Sequence, residues 1–202
     1  MKENITHLYK TGYLTDIDIH FAEFITGLGK NDDPDIFLAA ALASNATGNG
    51  DVYFDLASMA ERSVFMGLEQ EGTVKWPNLS GWLQKIRQSP VVGKPGEYRP
   101  LILDEKNRLY LYRYWDYEKK LSQSIIHRSG EDILDLDVAR LTDGLKRLFP
   151  QNQDNELDRQ MLAAYIAAIK KFCIISGGPG TGKTFTMAKI LALLLELSGK
   201  QR

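Results

Sequence analysis

Near the carboxyl end of the chain the run FCIISGGPGTGKT, residues 172–184, constrains the fold more than any other stretch. Phe172 to Ser176 have strand character, a glycine-rich turn follows, and the turn runs into a leucine-rich segment of helical type. Gly177, Gly182, Lys183 and Thr184 stand at the spacing of a phosphate-binding loop, with Gly178 and Gly180 as further glycines and Pro179 and Thr181 between them. The chemistry dictates these residue types. Glycines let successive backbone N–H groups curl round a phosphate with no Cβ in the way. A helix starting near Gly182 turns its positive dipole end toward the anion. Lys183 is placed to reach the β and γ phosphates, and the Thr184 hydroxyl to ligand Mg²⁺ held by the nucleotide. A strand directly before and a long helix directly after separate such a loop from a chance glycine-rich turn. Residues 177–184 therefore read as a site for ATP or GTP with Mg²⁺, with Lys183 and Thr184 in the catalytic roles.

The first 150 residues read as a mainly helical domain with one β-hairpin. With 202 residues, 44% of them apolar, the chain can bury a real core in one or two domains. Asp16 is a candidate cap for a helix with Phe21, Phe24, Ile25 and Leu28 at helical spacing and Gly29 as its stop. Asp33-Pro34 opens the next helix in the favoured order, and Ile36 to Ala43 is apolar nearly all round, which predicts the centre of this domain's core. Val52 to Phe54 is a short extended piece, and a helix is expected around Trp76 to Gln88. Pro100 to Leu103 and Leu109 to Tyr112 flank the polar Asp104 to Asn107 and predict a hairpin. Helices follow from about Trp115, with Glu118, Leu121 and Ile125, and through Val138, Leu141, Leu145 and Leu148. The polar stretch Pro150 to Asp154 makes the most natural linker, which divides the chain into 1–150 and 151–202. Beyond it Asn155 is a plausible cap for a helix with Leu157, Met161, Leu162, Tyr165, Ile166 and Ile169 on one face. Gln160 lies off that stripe, and its amide carries the donor and the acceptor that an adenine edge requires.

Other features narrow the field. Net charge is −1 and the pI near 6.3, so no global basic field advertises nucleic acid. Cys173 is the single cysteine and cannot form an internal disulfide. The amino terminus lacks the apolar core of a signal peptide and no run approaches a membrane span, which predicts a reducing, cytoplasmic setting. His7, His20 and His127 have no cysteine or carboxylate partners at metal-ligand spacing. Between Tyr110 and Lys120 aromatics alternate with Arg113, Lys119 and Lys120, a composition that can stack on single-stranded bases. The simpler reading, that these aromatics fill the core of a hairpin and helix start, is preferred.

The run from Asn155 through Gln160 and residues 163–168 to residues 175–184 resembles the opening of a superfamily 1 DNA helicase. Within that group it is most similar to the RecD family, the alpha chains of exodeoxyribonuclease V. Leu38 to Leu42, Leu109-Tyr-Leu with Tyr114, Trp115 and Glu118, and Leu145 to Pro150 look like the amino-terminal region of that family. The fold class implied is α/β: a helical amino-terminal domain with a hairpin, then the first helix, strand, phosphate loop and helix of a RecA-like motor domain. The resemblance further implies a 5′-to-3′ DNA translocase that works with beta and gamma subunits on DNA in double-strand break repair and recombination. It implies that Gln160 reads the adenine, and that the amino-terminal domain docks on the gamma subunit without doing chemistry.

This sequence departs from the family pattern in carrying only 18 residues after Thr184. They include no later strand with the acidic pair that would hold Mg²⁺ and orient water, and no arginine in the position of a finger. The expectation is an amino-terminal fragment that binds nucleotide but cannot hydrolyse it and binds DNA weakly. An alternative is a protein-interaction module with a non-catalytic nucleotide loop; a small phosphate-loop kinase is disfavoured because such loops normally open their domain. Phe185, Met187, Ile190, Leu191, Leu193, Leu194, Leu195 and Leu197 surround the last helix, leaving no fully polar face. That tail should fold back on the first domain or, the preferred reading, self-associate.

Overall fold

The computed structural model describes residues 2–30, 32–58, 76–133, 136–150 and 158–199. They are mainly helical with a small mixed four-stranded sheet. The chain forms two compact units, Met1–Lys120 and Leu121–Arg202.

In the first unit α1 (Lys2–Lys10) and α2 (Asp16–Gly29) precede α3 (Pro34–Gly48), and α4 (Leu79–Gln88) packs on α3. The central position of α3 is as its composition predicts: Ile36 and Leu38 to Ala43 are all buried. Asp33 caps it by accepting from the Asp35 N–H, with Pro34 in the first turn, and Trp82 of α4 donates its indole N–H to the Asp35 carbonyl at 2.8 Å. For α2 the cap is Thr15 rather than Asp16. The Asp18 carboxylate accepts from both the N–H and the hydroxyl of Thr15, each at 2.9 Å, so the residue three places on decides where the helix begins. The face of α2 differs too. Ala22, Ile25 and Thr26 are buried, whereas Phe24 and Leu28, expected inside, are exposed. Small residues let α2 lie close on α3, and that choice of face turns the larger side chains away.

The sheet has the order β1-β4-β3-β2. The predicted hairpin is present as β3 (Leu101–Leu103) and β4 (Arg108–Leu111), antiparallel, with Leu101 opposite Leu111. Its turn is closed by Asp104, whose carboxylate accepts from the N–H groups of Lys106 and Arg108 at 2.9 Å, while Asn107 takes the left-handed conformation at φ 61°. Two pieces of two residues complete the sheet: β1 (Phe54–Asp55), antiparallel to β4, and β2 (Val92–Gly93), parallel to β3. Leu101, Leu103 and Leu109 join the core around α3.

Helix α5 (Tyr112–Ser129) starts three residues before the expected Trp115, and none of its residues is buried. The division between the two compact units falls within it, at Lys120; residues 151–157, which include Asn155 and Leu157, lie outside the described residues. In the second unit α6 (Val138–Leu148), α7 (Arg159–Ile169) and α8 (Lys183–Ser198) pack pairwise around Leu141, Leu145, Phe149, Ala164, Ala168, Ile190 and Leu193. The strand expected over Phe172 to Ser176 does not form: residues 173–178 have no regular structure. A strand exists through ladder hydrogen bonds to a neighbour. Among the described residues none is supplied, and the nearest pairing is a single bridge between Asp132 and Lys170. No described helix is long and apolar enough to cross a membrane.

Candidate phosphate-binding loop

The loop is held between the start of α7 and the start of α8. Asp158, not Asn155, caps α7, its carboxylate accepting from the N–H groups of Gln160 at 2.8 Å and Met161 at 3.1 Å. That cap fixes Gln160 in the first turn, and α7 then buries Ala164 and Ala168. The chain leaving α7 is tied to the segment before α6. Ile133 donates to the Ile169 carbonyl at 2.8 Å, Lys170 pairs with Asp132 at 2.5 Å, and Lys171 pairs with Glu131. Lysine pairing holds the Glu131 carboxyl below its ordinary range.

From Gly177 the backbone turns sharply. Gly180 and Gly182 take φ of 78° and 77°, a region that L side chains enter only with strain. Gly182 caps α8, whose first turn begins at Lys183 and carries Thr184 on its exposed side. Thr186 secures this start, its N–H and hydroxyl both reaching the Gly182 carbonyl at 2.9 and 3.0 Å. The Lys183 ammonium lies across the loop and donates to the carbonyls of Gly177 at 2.6 Å and Gly178 at 2.5 Å. Thr181 donates its hydroxyl to the Gly178 carbonyl at 2.9 Å. Gln160 meets the loop from α7: its Nε2 donates to the Thr181 carbonyl at 3.5 Å, and a Cβ on Gly182 would stand 2.9 Å from that nitrogen. A Cβ on Gly177 would stand 2.9 Å from the Thr181 hydroxyl.

All the residues singled out in the sequence thus come together: Gln160 beside Thr181 and Gly182, and residues 177–184 in one exposed turn at a helix start. The first-turn N–H groups of α8 have no partner of their own within the helix. They stand beside the loop glycines, with the Lys183 ammonium held on the carbonyls of Gly177 and Gly178. This donor set fits the phosphates of a nucleotide, and the exposed Thr184 hydroxyl fits a cation that those phosphates carry. Among the described residues no group of three or more His, Cys, Asp or Glu side chains could hold a metal. Cys173 is half-buried and free. The sequence reading missed the Asp158 cap and the lysine pairs to Glu131 and Asp132. The cap was legible, since Asp158 stands three residues before the apolar stripe resumes at Met161; the pairs join residues 38 to 40 apart and leave no local trace.

The aromatic segment departs from expectation. Tyr110 is buried, which raises its pKa, but Tyr112, Tyr114 and Trp115 are half-buried and Tyr117 is exposed. They form pairs among themselves and with cations: Tyr98 edge-on to Tyr112 at 4.8 Å, Lys119 over Trp115 at 4.8 Å, and Arg113 over Tyr117 at 5.3 Å. Core filling accounts for Tyr110 and not for the rest.

The model of the family "RecBCD enzyme subunit RecD, N-terminal domain" matches residues 10–110, half of the chain and all of it within the first unit. The helical unit with its small sheet is therefore an amino-terminal domain of the RecD type. The chain belongs to the RecD family. It is 34% identical over 200 residues to the RecBCD enzyme subunit RecD of Mycobacterium tuberculosis H37Rv, covering 96% of this chain and 31% of that protein. The Mycolicibacterium smegmatis RecD is 34% identical over 189 residues, 91% of this chain and 30% of that protein. For the Haemophilus influenzae RecD the figures are 37% over 143 residues, 70% and 21%. The chain spans about a third of the length of the curated mycobacterial relatives. At 96% coverage the mycobacterial likeness runs across residues 177–184.

Proposed function

We propose that this chain is the amino-terminal part of an ATP-dependent 5′-to-3′ DNA helicase subunit of exodeoxyribonuclease V, which acts in double-strand break repair and recombination. On this reading residues 1–150 are a docking domain that does no chemistry, and residues 151–202 open a RecA-like motor domain. The cradle of residues 177–182 receives the phosphates of ATP. Lys183 moves off the carbonyls of Gly177 and Gly178 to neutralise phosphate charge, and Thr184 contributes its hydroxyl to Mg²⁺. Gln160, fixed by the Asp158 cap, reads the adenine edge. When bound, the nucleotide supplies the γ-phosphoryl group whose transfer to water drives translocation in the whole motor. The observation that carries the reading is the pairing of Gly182 at φ 77° with Gln160 against it, at the first turn of a 16-residue helix. That turn needs a glycine, aims backbone donors outward and holds one side chain able to recognise a base.

Equilibrium binding of a fluorescent ADP in Mg²⁺ tests it. The chain should bind; Lys183→Ala should lose at least tenfold, and Gln160→Ala should narrow the preference for adenine over guanine nucleotides. No binding at millimolar nucleotide would remove the nucleotide role from this loop and favour the interaction-module reading. Hydrolysis is a separate matter, because it needs a carboxylate that orients water and an arginine on the developing charge. The residues after Thr184 in this sequence include a single carboxylate, Glu196, which pairs with Arg147, and no arginine before Arg202. The 202-residue chain should therefore hold nucleotide without turning it over, with or without single-stranded DNA; DNA-stimulated turnover lost in Lys183→Ala would contradict this.

A further inference from the structure

We infer that the row of rings Tyr98, Tyr112 and Trp115, with Arg99 and Lys119 beside it, is a stacking site for single-stranded DNA on the first unit. The hairpin builds the row. Leu101 stands opposite Leu111, and one step further out the Tyr112 N–H donates to the Pro100 carbonyl at 2.9 Å, which sets the loop before β3 against the first turn of α5. That loop turns at Gly96, with φ 100°, and is closed by the Lys94 N–H donating to the Glu97 carboxylate at 3.0 Å. It presents Tyr98, 86% exposed, edge-on to Tyr112 with ring centres 4.8 Å apart. Trp115 follows Tyr112 at 6.0 Å, and steps of three and four put Tyr112, Trp115 and Lys119 on one side of α5. The interplanar angles, 76° and 42°, show that the rings are not stacked face to face on one another, and Tyr98 stands open to a planar group.

The surroundings specify the occupant. Between residues 94 and 120 the exposed large apolar side chains are Tyr98 and Tyr117, both aromatic. An amphipathic helix asks for an aliphatic groove, whereas a base asks for a ring face and its phosphate for a cation. The cations are available. Arg99, Arg113 and Lys119 are exposed and pair with no carboxylate among the described residues, unlike Lys85, Arg108 and Lys120, which are committed to Asp35, Asp104 and Asp116. Glu97 is taken up by its own turn, and Glu118 is the one carboxylate of α5 without a cation. The stem of Arg99 is anchored on Gly93, where a Cβ would stand 2.7 Å from Arg99 Cγ. Lys119 lies over Trp115 at 4.8 Å. An exposed cation–π contact is weaker than a stacked base, so Lys119 yields the indole face to a base and turns to the adjoining phosphate. Charge along the unit is divided to match. Residues 76–120 hold nine Lys and Arg against five Asp and Glu, whereas residues 1–58 hold three against nine. Bases in a duplex are already stacked on each other, so the row takes a single strand. The choice of DNA over RNA rests on the function proposed above; the stacking and the phosphate contacts do not.

Fluorescence anisotropy of the 202-residue chain with a labelled oligothymidine of about 16 residues, at two salt concentrations, is the test. Binding should be weak, between about 10⁻⁴ and 10⁻⁶ M, and should quench tryptophan emission. Tyr98→Ala/Trp115→Ala should weaken it at least tenfold, and Tyr98→Phe/Trp115→Phe, which keeps the rings, should restore most of it. Tyr98→Ala alone should leave the melting temperature unchanged, because that side chain is exposed, and still weaken binding at least threefold. Arg99→Ala/Lys119→Ala should lower the salt slope by about 1.4, the share of two phosphate contacts on a single strand. Phe24→Ala, an exposed ring on α2 of the same unit, should not matter. No binding by the wild type, equal binding by Tyr98→Ala/Trp115→Ala, or tighter binding of a duplex than of the single strand overturns the proposal. An oligouridine bound more tightly than the oligothymidine overturns the assignment to DNA. Variants that bind DNA like the wild type but fail to assemble, as full-length subunit, with the other subunits of the complex would make the row a protein contact and overturn it too. Nucleotide binding at residues 177–184 is measured separately, and its failure leaves this site standing.

Discussion

Asp18 is 3% exposed and yet ionised in the fold. Burial alone would raise its pKa, but hydrogen bonds from Ser44, from the Thr15 backbone and from the side chains of Asn45 and Thr15 outweigh that and hold the carboxyl below its ordinary value. A carboxyl depressed by folding stabilises the native state above its unfolded pKa, about 3.9, and that contribution fades as the pH falls through the lower folded value. Asp18→Asn puts an amide NH₂ among donors and should cost about 2 kcal/mol at pH 7. Urea midpoints should show the penalty shrinking below about pH 4; a penalty independent of pH would mean that packing, not charge, is what Asp18 provides. In the loop, Gly182 and Gly178 offer a matched pair. Gly182→Ala enters the left-handed region, worth about 1–2 kcal/mol of strain, and meets Gln160, whereas a Cβ on Gly178 is in ordinary contact with Thr181 at 4.0 Å. Nucleotide affinity should fall far more for Gly182→Ala than for Gly178→Ala, and equal losses would show that close approach of phosphate, not backbone conformation, selects the glycines.

Among the elements, α6 and α8 meet at a glycine. A Cβ on Gly144 would stand 2.5 Å from Cδ1 of the fully buried Leu193, so that side chain must shift to admit it. Gly144→Ala gains about 1 kcal/mol of helix propensity but overpacks the crossing at about 1–3 kcal/mol. The expected outcome is a lower melting temperature, partly restored by adding Leu193→Ala; a rise in melting temperature would show that the crossing yields. How far elements were legible follows from where their determinants lie. The hairpin and α3 were readable because Asp104 to Asn107 and Asp33-Pro34 act on their own neighbours. The start of α8 was readable for the same reason, in Gly182. The two-residue β1 and β2 have no periodicity to read, and the missing strand at Phe172 to Ser176 depended on a neighbour that its own five residues do not contain. Which side of α2 faces inward was settled by the closeness that Ala22 and Thr26 allow against α3, a tertiary preference that outweighs the larger apolar stripe. The residues of the candidate loop were legible because the role proposed for it would impose glycine, lysine and threonine at fixed spacing; the cap beside Gln160 was placed three positions early, at Asn155 instead of Asp158.

For the whole molecule, the balance of apolar surface governs behaviour in solution. Helix α8 does find cover, on α6, which lies within the first 150 residues, and on α7, but on one face: Ile190 and Leu193 are buried and Leu194 and Leu197 partly so. Met187, Leu191 and Leu195, one stripe at steps of four, are 49%, 56% and 72% exposed, and Phe185 is 63% exposed. On α7 Leu162, Tyr165 and Ile166 are also open, at 39%, 43% and 37%. Each large apolar side chain moved from water into a contact contributes about 1.5–3 kcal/mol when fully buried. Four half-open residues on α8 therefore hold several kcal/mol that a second copy can recover, against an association cost of at least about 4 kcal/mol. The two numbers are close, so the 202-residue chain should associate weakly, in the range of tens of micromolar, and not as an obligate dimer. Near this stripe Glu196 pairs with Arg147, and the Lys189 ammonium sits over the rings of Phe149 and Phe185. Sedimentation velocity from about 5 to 200 μM should show a concentration-dependent species that Leu191→Glu/Leu195→Glu abolishes with little change in melting temperature. A monomer throughout that range would mean that the exposed stripe of α8 is not an interface between copies of this chain.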